Sequence, residues 1–200
     1  MTASLARQIV LAARPQGNPQ LSDFRLADEI RGAEMPERYL EDLAVGQTFG
    51  SGRVQVDKER IKKFAAEFDP QPFHLDEEAA RDTIFRGLAA SGLHTAALTM
   101  RLVVESELKP AGGIVGAGVD QLRWPLPVRP GDELRVESEV LEVRPSKSHP
   151  RRGLIKVRTT TLNQNGEAVQ VFVVNLTVPR RGAEYFRQPR ECGPATANRR

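Results

Sequence analysis

The chain has 200 residues, of which 40% are hydrophobic and 28% charged. This composition suits one folded domain with extensions and excludes a low-complexity or strongly charged disordered protein. The formal net charge of +3 lies in segment 181–200, where five Arg face two Glu, whereas residues 1–36 and 37–180 are each neutral. A basic terminal segment is not a folded basic surface, so nucleic-acid binding is not predicted.

The N-terminal residues do not resemble a signal peptide, because Arg14 and Pro15 follow a short apolar run. No apolar stretch reaches the length of a membrane span. Cys192 is the only cysteine, so the chain cannot form an internal disulfide. These features predict a cytoplasmic protein that does not bind membranes.

The hydrophobic periodicity of the sequence changes twice along the chain. Residues 1–36 show no sustained period, which predicts a poorly structured or loosely packed N-terminal extension. Residues 37–180 form periodic segments with clear Pro and Gly punctuation, as expected of one domain. Periodicity is lost again in 181–200, which predicts a basic, disordered tail.

Three helices are predicted in the first half of the domain. Asp57 is a suitable N-cap for a helix over 57–68, and Asp76 for a short one after it. A long helix begins at Ser91-Gly92 and runs to about Leu108. Apolar residues cover a broad stripe of this helix, which predicts that it is largely buried.

Strands account for most of the remaining sequence. The segment "QTFGSGRVQV" predicts one strand before the first helix, and alternation predicts others at about 116–124 and 132–143. Two more strands flank Asn165-Gly166, a strong hairpin signal. The last four strands can form a meander. One mostly antiparallel sheet wrapped around the apolar helix buries both, which predicts an α+β fold.

Three segments carry a family resemblance: "FDPQPFHLDEEAA", "FRGLAASGLHTAAL" and "LRWPLPVRPGDEL". Over about residues 38–180 the chain resembles the MaoC-like dehydratases and the related (R)-specific enoyl-CoA hydratases. The motif of that family, an Asp, a His five residues later and an Asp two further on, corresponds to Asp69, His74 and Asp76. The resemblance implies a hot-dog fold, a homodimer, and an acyl-CoA substrate handled without a metal or redox cofactor.

Hydrating an enoyl thioester requires a base for water, an acid for the α-carbon and donors for the enolate oxygen. Asp69 and His74 suit the first two roles, because modest environmental shifts bring either pKa toward neutrality. By resemblance the donor is the backbone N–H of Gly92, which fits the dipole and unpaired N–H groups of a helix N-terminus. The implied reaction converts trans-2-enoyl-CoA to 3-hydroxyacyl-CoA, or the reverse.

The prolines between the two candidate catalysts constrain the backbone. Pro70 and Pro72 favour extended conformations at the residues before them, Asp69 and Gln71. Fully extended, this segment would place the Asp69 and His74 Cα atoms about 16 Å apart at most. A curved loop is therefore expected to bring the two side chains onto one water molecule.

Structural roles compete with the catalytic interpretation. Asp69 could terminate a helix or cap a turn, and His74 could be a hydrogen-bonded structural residue. Asp76 is expected to be a helix cap and not a third catalyst. His94 is expected to be packed or to face a dimer partner, and His149 to lie in a solvated loop.

The chain also departs from the hydratases it resembles. Ser91-Gly92 stands where hydratases commonly have His-Gly, and Met100 occupies the position of a substrate-side serine. Two alternatives therefore remain: an acyl-CoA thioesterase of hot-dog fold, or a non-catalytic module that binds acyl-CoA or an acyl carrier.

Two further segments do not predict a functional site. Residues 111–118, "AGGIVGAG", follow a helix and are interpreted as the approach to a strand, not as a nucleotide-binding loop. Residues 5–26 weakly resemble the N-terminus of zinc-independent medium-chain alkene reductases, but the rest of such an enzyme is absent from the sequence.

Overall fold

The computed structural model describes residues 6–11, 24–29 and 37–182. Strand β1 (Ala6–Leu11) pairs antiparallel with β2 (Phe24–Glu29) in a two-stranded sheet. The chain divides into two compact units between Pro36 and Glu37. Loose packing of the N-terminal extension stays a prediction. The predicted tail from residue 183, including Cys192, lies outside the described residues.

The helices of the second unit follow the predicted capping signals. After a 3₁₀ turn at Leu40–Asp42 come α1 (Lys58–Phe68), α2 (Pro72–Leu75), α3 (Glu77–Arg81) and α4 (Gly92–Val104). Asp57 accepts a hydrogen bond from the Arg60 N–H at 2.9 Å, and Asp76 accepts one from the Ala79 N–H at 2.8 Å. Both residues are therefore the N-caps that the sequence predicts.

The long helix ends four residues earlier than predicted. Glu105 is the C-cap of α4, and the buried Ser106 makes two local hydrogen bonds. Its hydroxyl donates to the Val103 carbonyl at 2.7 Å and accepts from the Leu108 N–H at 3.3 Å. Serine competes with helical hydrogen bonding in this way, so the apolar period continues past the true end of the helix.

The strands of this unit form a six-stranded antiparallel sheet in the order β3-β6-β7-β8-β5, with β4 also paired to β6. Their bounds are β3 (Thr48–Gly50), β4 (Val54–Gln55), β5 (Val115–Arg123), β6 (Glu133–Pro145), β7 (Arg152–Leu162) and β8 (Ala168–Pro179). The predicted four-strand meander is wrong at β5, which pairs with β8. The free side of β6 is taken by β3 and β4, which leaves β5 only the far edge.

The sheet wraps around α4, whose buried face includes Leu98 and Leu102. These side chains pack in one cluster with Leu134 and Val136 of β6 and Val169 of β8. The arrangement is the predicted α+β hot-dog fold. In the described part of the chain, no helix is long and apolar enough to cross a membrane.

Candidate active site

The junction of α1 and α2 brings Asp69 and His74 together. Asp69 ends α1, where its N–H donates to the Ala65 carbonyl at 2.9 Å. Gln71 is extended as predicted, whereas Asp69, with φ −151° and ψ 66°, is not. Pro72 is the first residue of α2, a position that favours proline. One helical turn then carries His74 back toward Asp69. The sequence does not reveal this turn, because four residues are too few to show a helical period.

The two side chains form a pair that is partly screened from solvent. His74 Nε2 lies 3.4 Å from Asp69 Oδ2, and the His74 side chain is only 5% exposed. His74 Nδ1 lies 2.8 Å from the Ala89 carbonyl oxygen. Because a carbonyl can only accept, Nδ1 carries the hydrogen. In the neutral ring, the Nε2 lone pair therefore faces the Asp69 carboxylate.

A loop before α4 supports the histidine. The Phe85 ring packs against Phe73 at 5.0 Å, and Phe73 meets the His74 ring edge-on at 4.6 Å. The guanidinium of Arg129 donates to the Gly87 carbonyl at 2.7 Å and also to the carbonyls of Phe85 and Leu88. Arg129 thus fixes the loop that carries the aromatic support and leads to the Ala89 acceptor.

Ser91 links Asp69 to the start of α4. Its hydroxyl donates to Asp69 Oδ2 at 2.6 Å and accepts from the Leu93 N–H at 3.2 Å as the helix N-cap. Gln71 Nε2 donates to Asp69 Oδ1 at 2.6 Å. The Ser91 hydrogen bond first, then that of Gln71, hold the pKa of Asp69 below its ordinary value despite partial burial, and the positive charge of His74 adds to this when that ring is protonated.

The contact between Ser91 and Asp69 is not predicted from the sequence, in which Ser91 is only a departure from the hydratase pattern. One signal was present. A serine directly before a helix-opening glycine is a typical N-cap, and an N-cap side chain lies at the same helix end as the predicted oxyanion donor. The contact itself spans 22 positions of sequence and depends on the tertiary fold.

Gly92 is the first residue of α4, so its N–H has no acceptor within the helix. The indole of Trp124 packs directly on it: a Cβ atom at position 92 would lie 2.8 Å from Trp124 Cε2. Such a distance is too short for non-bonded carbon atoms. Packing against Trp124 therefore gives a physical reason for the glycine in addition to the predicted role.

His74 and Gly92 line one cavity of about 350 Å³. Asp69 lies beside it, in contact with His74. The structure thus groups all three predicted site residues. The other lining residues come from the loop before α4, from α4 and from the segment after β5: Ile84, Phe85, Ala90, Thr95, Trp124, Pro125, Leu126, Pro127 and Val128.

Two other predicted positions have packing roles. Asp76 caps α3, as expected from the sequence, and the hydrogen bond from the Ala79 N–H lowers the pKa of its carboxyl group. His94 is buried and stacks on Phe64, with ring centroids 4.7 Å apart and planes 8° apart. Burial, and secondarily the charge of Arg60, lowers the pKa of His94. This geometry confirms the packed interpretation of His94.

The α4 residues at and near the position of the hydratases' substrate-side serine do not line this cavity. Met100 and Val103 line a second, apolar cavity of about 170 Å³ bounded by β5, β7 and β8. Thr99, beside Met100, is buried and shares a 2.7 Å hydrogen bond with Thr161. Residues 111–118 lead into and begin β5, as the sequence predicts.

His149 lies in an exposed loop, as expected. In residues 37–182 and the two N-terminal strands, no group of three or more His, Cys, Asp or Glu side chains is placed to hold a metal ion.

Comparison with known proteins gives consistent matches. The MaoC like domain family matches residues 42–163. The chain is 36% identical to the uncharacterized protein YdeM of Bacillus subtilis over 139 residues, which are 70% of this chain and 96% of that protein. It is 33% identical over 119 residues to the 3-hydroxybutyryl-CoA dehydratase of Methylorubrum extorquens, covering 59% of this chain and 73% of that enzyme.

Solved structures agree with the fold. The MaoC-like dehydratase from Rhodospirillum rubrum superposes with a TM-score of 0.71 at 58% sequence identity. The match covers 73% of this chain and 99% of that one. The described domain therefore shares its fold with a solved protein of the same kind over nearly the whole length of that protein.

Proposed function

This chain belongs to the MaoC-like dehydratase family, and from that premise we propose that it catalyses the reversible hydration of trans-2-enoyl-CoA to 3-hydroxyacyl-CoA. One observation carries the proposal: His74 Nε2 lies 3.4 Å from Asp69 Oδ2 beside the cavity that His74 and Gly92 line. Loss of enoyl absorbance on mixing with crotonyl-CoA tests it.

Water activation follows from two acceptors facing each other. His74 Nε2 and Asp69 Oδ2, 3.4 Å apart, cannot bond to each other while the histidine is neutral and the aspartate ionised. A water molecule next to both donates one hydrogen to each and keeps a lone pair for the β-carbon. As the new C–O bond forms, the pair takes one proton from that water and returns it to the α-carbon.

Negative charge develops on the thioester oxygen between these two proton transfers. Gly92 supplies an N–H without an intrahelical acceptor at the positive end of the 13-residue α4. A donor already fixed by the helix needs no rearrangement as charge develops, so it stabilises the enolate more than the ground state. The proposed reaction needs only these groups, and the proposal therefore includes no metal or redox cofactor.

Mutation of Ser91 tests the electrostatic part of this mechanism. Asp69 must be ionised to accept from water, and the Ser91 hydroxyl is the largest cause of its lowered pKa. Ser91→Ala removes that hydrogen bond, so the pKa of Asp69 should rise. We expect the acidic limb of the NMR titration profile of the Asp69 carboxyl carbon to move to higher pH.

Ser91→Ala also removes a helix N-cap, which typically costs about 1 kcal/mol of stability. Asp57→Ala is the matched control, because it removes the N-cap of α1 without touching Asp69. The control should keep the wild-type acidic limb. Equal profiles for Ser91→Ala and wild type would show that the Ser91 hydroxyl does not set the ionisation of the catalytic aspartate.

We further propose a homodimer formed along β5. This strand ends the described sheet, and Val115 and Val119 on it are exposed. An apolar sheet edge with unpaired backbone groups favours pairing with a second copy.

A cytoplasmic location also stays a proposal, consistent with an acyl-CoA substrate.

Light scattering after size exclusion tests the dimer. The wild type should have the mass of two 22.1 kDa chains, and Val119→Lys should shift the population toward monomer, because edge lysines oppose strand pairing. Val45→Lys changes a similarly exposed valine in the turn before β3 and should stay dimeric. A monomeric wild type, or equal behaviour of the two variants, would contradict the proposed interface.

A further inference from the structure

The indole of Trp124 is a wall of the catalytic cavity and lies in van der Waals contact with Gly92. The backbone behind it is fixed. Pro125 and Pro127 have fixed φ angles and restrict the residues before them, Trp124 and Leu126. The Val128 carbonyl accepts the Ala90 N–H at 2.9 Å. With that backbone held, the Trp124 side chain decides how much space lies next to Gly92.

Gln170 of β8 orients this side chain. The Trp124 Nε1–H donates to Gln170 Oε1 at 2.9 Å. An indole N–H can only donate, so the amide oxygen of Gln170 must face it. Gln170 is fully buried, and its Nε2 has no hydrogen-bond partner among the described residues.

A buried amide whose NH₂ group has no hydrogen-bond partner lowers the free energy of unfolding, whereas an apolar residue of similar size would not. The hydrogen bond to Trp124 is the contact that an apolar residue at position 170 could not make. Gln170 is not among the residues lining the catalytic cavity, so it acts on that cavity through the indole.

We propose that Trp124, positioned by Gln170, is the specificity-determining wall of the acyl site and restricts it to short enoyl thioesters. This inference rests on the proposed function. A thioester oxygen at the Gly92 N–H places the adjoining acyl carbons against the indole, because that ring already contacts Gly92. A bulkier acyl group would have to displace the ring and break its hydrogen bond to Gln170.

The test compares kcat/KM for crotonyl-CoA and trans-2-octenoyl-CoA. Trp124→Ala should raise the octenoyl-to-crotonyl ratio of kcat/KM at least tenfold. One methylene group more or less in a closed hydrophobic pocket changes kcat/KM by about tenfold or more. Leu126→Ala is a smaller truncation in the same cavity and should raise the ratio less than Trp124→Ala does, whatever its absolute rate. An unchanged ratio in Trp124→Ala would overturn the proposal.

Gln170→Met tests the positioning role. It should raise the ratio in the same direction although residue 170 does not line the cavity. Trp124→Phe loses the same hydrogen bond and also ring volume, so it should raise the ratio at least as much. Adding Gln170→Met to Trp124→Phe should then change the ratio little, because the hydrogen bond is already lost. Additive effects, or a ratio in Gln170→Met equal to wild type, would show that Gln170 does not orient the wall.

A binding measurement separates this inference from the proposed reaction. Trp124 is the only tryptophan of the chain, so its fluorescence reports on this wall alone. Butyryl-CoA, which cannot be hydrated, should change the emission saturably and bind at least tenfold more tightly than octanoyl-CoA. The ratio of the butyryl-CoA to the octanoyl-CoA affinity should be smaller in Gln170→Met than in the wild type.

The outcomes are distinguishable. Selective binding without any turnover would uphold the wall and overturn the hydratase proposal. Turnover of both substrates with equal butyryl-CoA and octanoyl-CoA affinity would uphold the hydratase and overturn the wall. Absence of both turnover and binding would overturn both.

Discussion

Substituting either member of the Asp69–His74 pair is expected to lower kcat/KM for crotonyl-CoA by about 10²–10⁴-fold, the usual contribution of a positioned acid–base group. Asp69→Asn keeps an oxygen that can accept from the Ser91 hydroxyl but removes the charge that accepts from water. The fold should therefore survive while the base is lost. Steady-state kinetics at neutral pH measures the effect.

Two substitutions separate the two nitrogens of the His74 ring. His74→Ala removes both, whereas the amide of His74→Asn can place an N–H near the Ala89 carbonyl, as Nδ1 does now. Neither variant has an acceptor at the position of Nε2, which faces Asp69, and both should lose activity. The double variant Asp69→Asn/His74→Ala should be about as slow as the worse single variant, because residues acting on one water molecule are not additive.

Asp76→Asn is the control for these measurements. It changes a nearby acidic residue that caps α3, and an asparagine retains the capping ability. Its activity should stay within a few-fold of wild type. Comparable losses in Asp76→Asn and Asp69→Asn would mean that the segment responds to any change of charge and that Asp69 has no special role.

Removing the Gly92 N–H is the second large effect expected. Gly92→Pro deletes that donor at the first helical position, where proline is compatible with the helix. Ser91 has φ −55° and ψ 142°, a conformation that a following proline favours. Loss of one oxyanion donor typically lowers kcat by about 10²–10³-fold.

Gly92→Ala provides the matched comparison. Its Cβ meets Trp124 as the proline ring does, but its N–H remains. The drop in kcat from Gly92→Ala to Gly92→Pro therefore isolates the donor from the steric conflict. Repeating the pair with Trp124→Ala removes the conflict and should leave the difference. Equal kcat values for the alanine and proline variants would show that the Gly92 N–H does not stabilise the transition state.

The sequence predicts those parts of the fold that depend on local signals. Asp57 and Asp76 cap helices because their side chains bond to the backbone three residues away. The hairpin at Gly166 follows from a backbone with φ +78°, which glycine adopts without strain. The place of β5 beside β8 was not predictable in this way, since it depends on which strands occupy the other edge of β6.

The site shows the same division. The residues Asp69, His74 and Gly92 could be named because their spacing resembles a known motif. The Ser91 hydroxyl on Asp69, the Ala89 carbonyl on the His74 ring and the Trp124 indole on Gly92 were not anticipated. These contacts join segments 15 to 32 positions apart, and no local pattern encodes the angle at which such segments meet.

Hydration of crotonyl-CoA by the wild-type chain is the most direct test of the central claim. Enoyl absorbance and free thiol should be followed in parallel on the same samples. We expect saturable loss of the enoyl chromophore without release of thiol. Thiol release at a matching rate would instead indicate a thioesterase, and saturable acyl-CoA binding without change in either signal would indicate a binding module; either result would contradict the hydratase function.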